Sequence, residues 1–313
     1  MFTSALRSDK AKSSEVASGL RQDFASMKEG ASATAGHFSA DLPASVRVDA
    51  RLKLGVERFG AETRLAQRHE SGAFRFRFPR AHGRPPEAVT VNIAGGLAGG
   101  DRVLAELRVG EGASLAFTSA AAERIYRSAG DTTRLSSRLI LETGARALWL
   151  PQETILHNGA RVERRFEIDI AADARLLFGE MLYFGRRASG EGYDAGAVRE
   201  SWRVRHAGRL ALADETRMDG LALARGADKA ALGHHVAMAT LLFAHPDAGE
   251  ALEAIRAVLT ADEALESGAT DLGPLVLVRL LSPDAARLRG LVLELAALLA
   301  ARIGMPMPRA LLN

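Results

Sequence analysis

From Ala44 onward the chain is written in short alternating segments. Val46-Arg47-Val48-Asp49-Ala50 and Phe74-Arg75-Phe76-Arg77-Phe78 switch between apolar and charged residues at period two. A strand with one buried face produces this pattern, because successive side chains point to opposite sides. The same reading predicts strands at Ala88–Ile93, Val103–Val109, Ser114–Thr118, Thr133–Leu141, Ala145–Leu150, Arg161–Ile170, Arg175–Met181, Ala197–His206 and Arg209–Glu215. Short turns separate them, among them Gly110-Glu111-Gly112, Thr143-Gly144, Ala171-Ala172-Asp173 and Ala207-Gly208. Strands at about ten-residue spacing with no helix between them predict a large antiparallel β scaffold.

The pattern changes in the last 80 or so residues. His234–His245 and Leu272–Leu281 read as strands, each followed by a helical period, which places helices near 248–260 and 285–303. In the second, Ser282-Pro283-Asp284 supplies the start signal, and Leu288, Leu291, Leu295, Leu298 and Leu299 share one face. The fold class expected is therefore mainly β with two C-terminal α-helices. Residues 1–45 differ again. Serines at 4, 8, 13, 14, 18, 26, 32 and 39 stand among Ala, Gly and Lys without apolar periodicity. This composition predicts a disordered leader ahead of one β-rich domain at 46–313.

Composition narrows the function classes. The 313 residues are 47% hydrophobic and 25% charged, which is enough apolar surface for a continuous core. No run of 18 apolar residues exists, so no membrane span is expected. The absence of Cys removes disulfides, thiolate nucleophiles and Cys-type metal sites. The 41 basic residues are 36 Arg and 5 Lys against 38 acids. That balance suits carboxylate pairing, and with 5% aromatics it argues against nucleic acid as a partner. No nucleophile elbow, phosphate loop, zinc-protease helix or dinucleotide fingerprint occurs.

Three acids stand in unusual surroundings. Asp101 closes the glycine-rich run Gly95-Gly96-Leu97-Ala98-Gly99-Gly100, Glu153 lies in Leu150-Pro151-Gln152-Glu153-Thr154-Ile155, and Glu180 sits in Phe178-Gly179-Glu180-Met181. Embedded acids need partners. Either nearby arginines pair with them, or they line an internal polar path. A third reading takes Asp101 and Glu153 as the acid and base of a β-rich hydrolase.

At these residues the chain resembles the urease accessory protein UreD (UreH) family. The resemblance rests on five motifs in order: Gly95–Asp101, Thr118–Ser128, Leu148–Ile155 with Gly159-Ala160-Arg161, Gly185–Glu191, and Gly304–Arg309. It implies a non-enzymatic cytoplasmic scaffold that binds urease apoprotein and UreF, and through UreF the GTPase UreG, in a dimeric hetero-oligomeric complex. It also implies nickel as a transient cargo rather than a resident cofactor. Asp101, Glu153 and Glu180 then become candidates for a transient nickel path. Carboxylates suit passage, since they release the ion more readily than thiolates or His clusters. His157 departs from the family, which commonly has an aromatic residue there, and is read as a packing substitution ahead of a nickel ligand.

Overall fold

The computed structural model describes residues 47–80, 83–219, 232–260 and 265–312. The leader expected at 1–45 lies outside the described residues. The strands run β1 (Asp49–Phe59), β2 (Glu62–Glu70), β3 (Phe74–Arg77), β4 (Glu87–Asn92), β5 (Arg102–Val109), β6 (Ser114–Ser119), β7 (Glu123–Ile125), β8 (Thr133–Leu141) and β9 (Arg146–Trp149). They continue as β10 (Thr154–Leu156), β11 (Arg161–Ile170), β12 (Arg175–Phe184), β13 (Ala197–His206), β14 (Arg209–Asp219), β15 (Ala237–Ala244), β16 (Glu266–Asp271) and β17 (Leu275–Ser282). The helices are α1 (Leu252–Leu259) and α2 (Ala285–Ile303). The mainly β fold with two C-terminal helices is as the sequence predicts.

The strand directions are not. Strands β1, β5, β8, β11 and β13 are mutually parallel in one sheet, and β4, β6, β9 and β12 are mutually parallel in the other. Antiparallel pairs are confined to the flanks, such as β1 with β2, β13 with β14, and β12 with β15. The reason lies in the turns. Gly110–Gly112, Thr143-Gly144 and Ala171–Asp173 are corners that carry the chain from one sheet to the other, not hairpins. Consecutive strands therefore face each other across the core, and each circuit of the chain adds one parallel strand to each sheet. The corners also stack on one another: the Gly112 amide donates to the Thr143 carbonyl at 2.8 Å, and the Gly144 amide to Asp173 Oδ1 at 2.9 Å.

Period-two alternation fills the space between the sheets. Leu54, Leu107, Leu139, Ile168 and Val204 are register partners along five successive strands, and all are buried. A second apolar layer lies on the outer side of the sheet that contains β12. There Leu177, Leu241 and Val278 pack with Ile255 of α1 and Leu288 and Leu295 of α2. Strand β12 is thus buried on both faces, which explains its nearly continuous apolar run. Helix α2 begins where Asp284 accepts from the Ala286 and Arg287 amides at 2.8 and 3.2 Å. It ends at Gly304, whose φ of 77° is a left-handed cap. The first helix is shorter than expected, a 3-10 turn at Ala248–Ala251 leading into α1. His234 and His235 precede β15 rather than lying in it, and their rings stack at 4.5 Å. No described helix is long and apolar enough to cross a membrane.

Candidate functional site

Among the residues facing the core on β11, β12 and β13 are three that break the apolar alternation: Arg164, Glu180 and Glu200. Arg164 bridges the two sheets, pairing through Nη2 with Glu180 and through Nη1 with Glu200 Oε2 at 3.3 Å. All three side chains are buried. Two indoles complete the cluster. Trp149 Nε1 donates to Glu180 Oε1 at 2.9 Å, and Trp202 Nε1 to Glu200 Oε1 at 2.8 Å. Phe166 and Phe178 pack against the indoles at centroid distances of 5.0–5.2 Å and against each other at 5.3 Å. The carboxylates outweigh the effect of burial on Arg164 and hold its guanidinium above the usual range. Burial pushes the Glu180 carboxyl above the usual carboxylate range, against the pull of Arg164 and the Trp149 hydrogen bond.

Beside this cluster lies a cavity of about 110 Å³ between the sheets. Arg164, Glu180, Gln152, Thr154, Ser119 and Glu123 give it polar lining within walls that include Phe74, Phe117 and Trp149. Glu123 and Thr154 are register partners on β7 and β10 and so share a face. Burial pushes the Glu123 carboxyl up to about 7, although Asn92 Nδ2 donates to it at 2.9 Å. The sequence reading did not single out Glu123. It sits within the Thr118–Ser128 motif, but β7 has three residues and offers no alternation to show which way it faces.

The three acids expected to line a path are not brought together by this cavity, which only Glu180 lines. Asp101 is buried, and both its oxygens are taken by backbone amides: Val48 donates to Oδ1 at 2.8 Å and Ala98 to Oδ2 at 2.7 Å. It closes the glycine-rich loop and ties it to the residue just before β1. Glu153 flanks the cavity residues Gln152 and Thr154 but is not itself part of the lining. It pairs with Arg289 of α2 at 3.1 Å, and Arg289 also donates to the Leu311 carbonyl at 3.0 Å. The pair thus helps seat the carboxyl-terminal segment, where Gln152 Nε2 donates to the Ala310 carbonyl at 3.0 Å and Glu87 accepts from the Arg309 and Ala310 amides. Asp101 through both oxygens and Glu153 through its Arg289 pair are thus engaged in holding the frame.

His157 packs edge-on against Tyr126, ring centroids 4.9 Å apart. Burial and the nearby Arg186 charge lower its pKa, which favours the neutral ring. Among the described residues no group of three or more His, Asp or Glu side chains is placed to hold a metal ion.

The glycine-rich loop has a packing reason. A Cβ on Gly96 would fall 2.6 Å from the Tyr126 ring, and one on Gly99 would fall 2.2 Å from Ser128 Oγ. The loop must press against the segment that carries Glu123, Arg124 and Tyr126. Leu97 exchanges backbone hydrogen bonds with Arg124 and Tyr126 at 2.7 Å each. Two of the motifs recognised separately in the sequence are therefore one packed unit.

A model of the UreD urease accessory protein family matches residues 48–311, nearly all of the described structure. The chain belongs to the UreD family. It is 41% identical over 278 residues to urease accessory protein UreD of Methylobacterium sp. (strain 4-46), covering 87% of this chain and 98% of that one. It is 43% identical over 263 residues to the Xanthobacter autotrophicus (strain Py2) UreD, covering 84% and 89%. To the Rhodopseudomonas palustris (strain BisA53) UreD it is 41% identical over 272 residues, covering 87% and 93%. Both the cavity and the Glu180–Arg164–Glu200 cluster fall within the span matched by the UreD model.

Proposed function

We propose that the chain is a non-enzymatic scaffold of urease maturation, binding urease apoprotein and UreF, and through UreF the GTPase UreG, so that nickel reaches the urease active site. The carrying observation is the UreD family match over residues 48–311. The setting in this reading is the cytoplasm, in a dimeric hetero-oligomeric complex. Nickel is cargo here, and no stable nickel site is invoked.

The internal polar path is retained in altered form. Its oxygen donors are Glu180 and Glu123, with Ser119, Gln152 and Thr154 of the same cavity. Ionised, the Glu180–Arg164–Glu200 cluster carries one net negative charge, which favours a cation nearby while Arg164 prevents tight chelation. Asp101 and Glu153 hold the frame around this cavity.

Co-purification tests the reading. The tagged chain is expected to retain UreF and urease apoprotein, to retain UreG only when UreF is present, and to raise nickel incorporation into the apoprotein. Failure to hold either UreF or the apoprotein overturns the scaffold role.

A further inference from the structure

The two sheets differ in what covers their outer sides. Both helices pack on the sheet that contains β12. The other sheet turns outward a face whose composition follows from its register. One row across β5, β8, β11, β13 and β14 reads Arg102, Arg134, Glu163, Arg199 and Arg217. Another, starting on β1, reads Lys53, Glu106, Arg138, Glu167 and Arg203. The rows between and beyond them add Arg51, Arg165 and Glu215, then Arg108, Asp169 and Arg205, and Asp49 begins the first row. With Arg161, Arg64, Glu57, Glu62 and Asp219, which share this side of the sheet, the face carries thirteen cationic and nine anionic side chains, a surplus of four on one sheet. The whole chain has a surplus of only three.

The charges are also layered. Where cation and carboxylate pair on this face, Lys53, Arg134, Arg138 and Arg165 stand at 48–60% side-chain exposure. Their partners Glu106, Glu163, Asp169 and Glu167 stand at 34–44%. The guanidinium ends are thus outermost, and the carboxylates lie between them. Exposed Leu104 and Leu210 lie in the same rows, and exposed Phe59 stands at the end of β1 on the same side of the sheet.

From this we infer that the outer face of the sheet containing β1, β5, β8, β11 and β13 is a docking surface for a protein partner with a flat acidic surface. The argument is charge complementarity, with Arg forks suited to bidentate carboxylate pairing. A nucleic acid is the poorer occupant. The interspersed carboxylates would meet its phosphates, the leucines would gain nothing from them, and the exposed ring on this face, Phe59 at the end of β1, already has the Arg64 guanidinium over it. The inference takes its partner from the scaffold role proposed above, so the test separates the two.

The test uses the full chain, the triple variant Arg134→Gln, Arg138→Gln and Arg165→Gln, and a charge-matched control with Arg256→Gln, Arg287→Gln and Arg302→Gln on the helices. Thermal melts establish that each variant is folded. Four probes are titrated at 50 and 300 mM NaCl: polyglutamate of about 50 residues, a DNA duplex, anionic vesicles, and the maturation proteins (urease apoprotein and UreF with UreG). The sheet variant is expected to bind polyglutamate and at least one maturation protein about tenfold or more weaker than the parent at low salt, with the control little changed. Equal losses in both variants, or none in the sheet variant, overturn the inference. A DNA duplex or anionic vesicles binding through these arginines more tightly than polyglutamate overturns the protein occupant. Sheet-dependent polyglutamate binding, with no association of any maturation protein with the parent, leaves the acidic-partner face standing and refutes the scaffold role.

Discussion

Replacing Arg164 with Met probes the inter-sheet cluster most sharply. Met approximates the volume of the arginine stem but leaves Glu180 and Glu200 buried, each with only an indole donor. Removing one partner of a buried ion pair costs about 3–5 kcal/mol, because the remaining charge is neither solvated nor paired. Here one guanidinium serves two carboxylates, so the upper part of that range is expected. Against a domain stability of about 5–15 kcal/mol, the variant stands close to the threshold of folding. The loss should shrink as the pH falls, since an orphaned buried carboxyl can take up a proton. A second variant separates charge from packing. Combining Arg164→Met with Glu180→Gln and Glu200→Gln removes every charge but keeps an amide oxygen for each indole, and should recover most of the loss. The assay is pulse proteolysis in urea at submicromolar concentration, which limits association of the isolated chain. An Arg164→Met variant within about 1 kcal/mol of the parent would refute the reasoning, as would a triple variant less stable than the single one.

Four further outcomes are expected. Glu123→Gln should be neutral near pH 5 and stabilising near pH 8. A carboxyl raised from its ordinary value to about 7 favours folding below the unfolded pKa and loses that contribution as pH rises, up to about 3 kcal/mol, and paired urea titrations at the two pH values read the difference. Asp101→Ala strips the acceptor from two amides and should cost about 3 kcal/mol, whereas Asp101→Asn should keep part of it; a lack of change in the urea midpoint would contradict the loop-closing role. Arg289→Ala should cost only about 1 kcal/mol, because its pair with Glu153 is partly exposed, while making the carboxyl-terminal segment more open to carboxypeptidase. Deleting residues 1–44 should leave UreF binding and urease activation largely intact, since the family match begins at residue 48; lost binding in a pull-down would assign those residues a role.

How far the sequence showed this architecture depends on the element. Helix α2 was readable to the residue, because Asp284 and Gly304 are local signals at its two ends. Strand β2 was missed, since Glu62–Glu70 is an edge strand with hardly a buried position and so carries no alternation. Strand direction was misjudged because a glycine corner between sheets and a hairpin turn have the same composition. Alternation reports which side a residue faces, never which strand lies beside it. The same alternation held a signal that went unused. Arg164 shares parity with Val162, Phe166 and Ile168, and Glu200 with Val198, Trp202 and Val204, so both had to face the core. Glu180 needed a partner of opposite charge on an inward position, and Arg164 was the available one. Asp101 and Glu153 looked alike in sequence, but Val48, which binds one oxygen of Asp101, and Arg289, which pairs with Glu153, lie 53 and 136 positions away, which no local pattern reveals.

The central claim is that this chain serves the nickel loading of urease. In a urease-positive host whose own UreD homologue has been deleted, expressing this chain beside UreF, UreG and the urease subunits tests it directly. The measurement is nickel per urease active site, by metal analysis of the purified enzyme, together with its specific activity. The account predicts little nickel and little activity without the chain, and both restored with it. Urease that loads nickel equally well in its absence, or that stays empty in its presence while the chain is folded and abundant, would contradict the account.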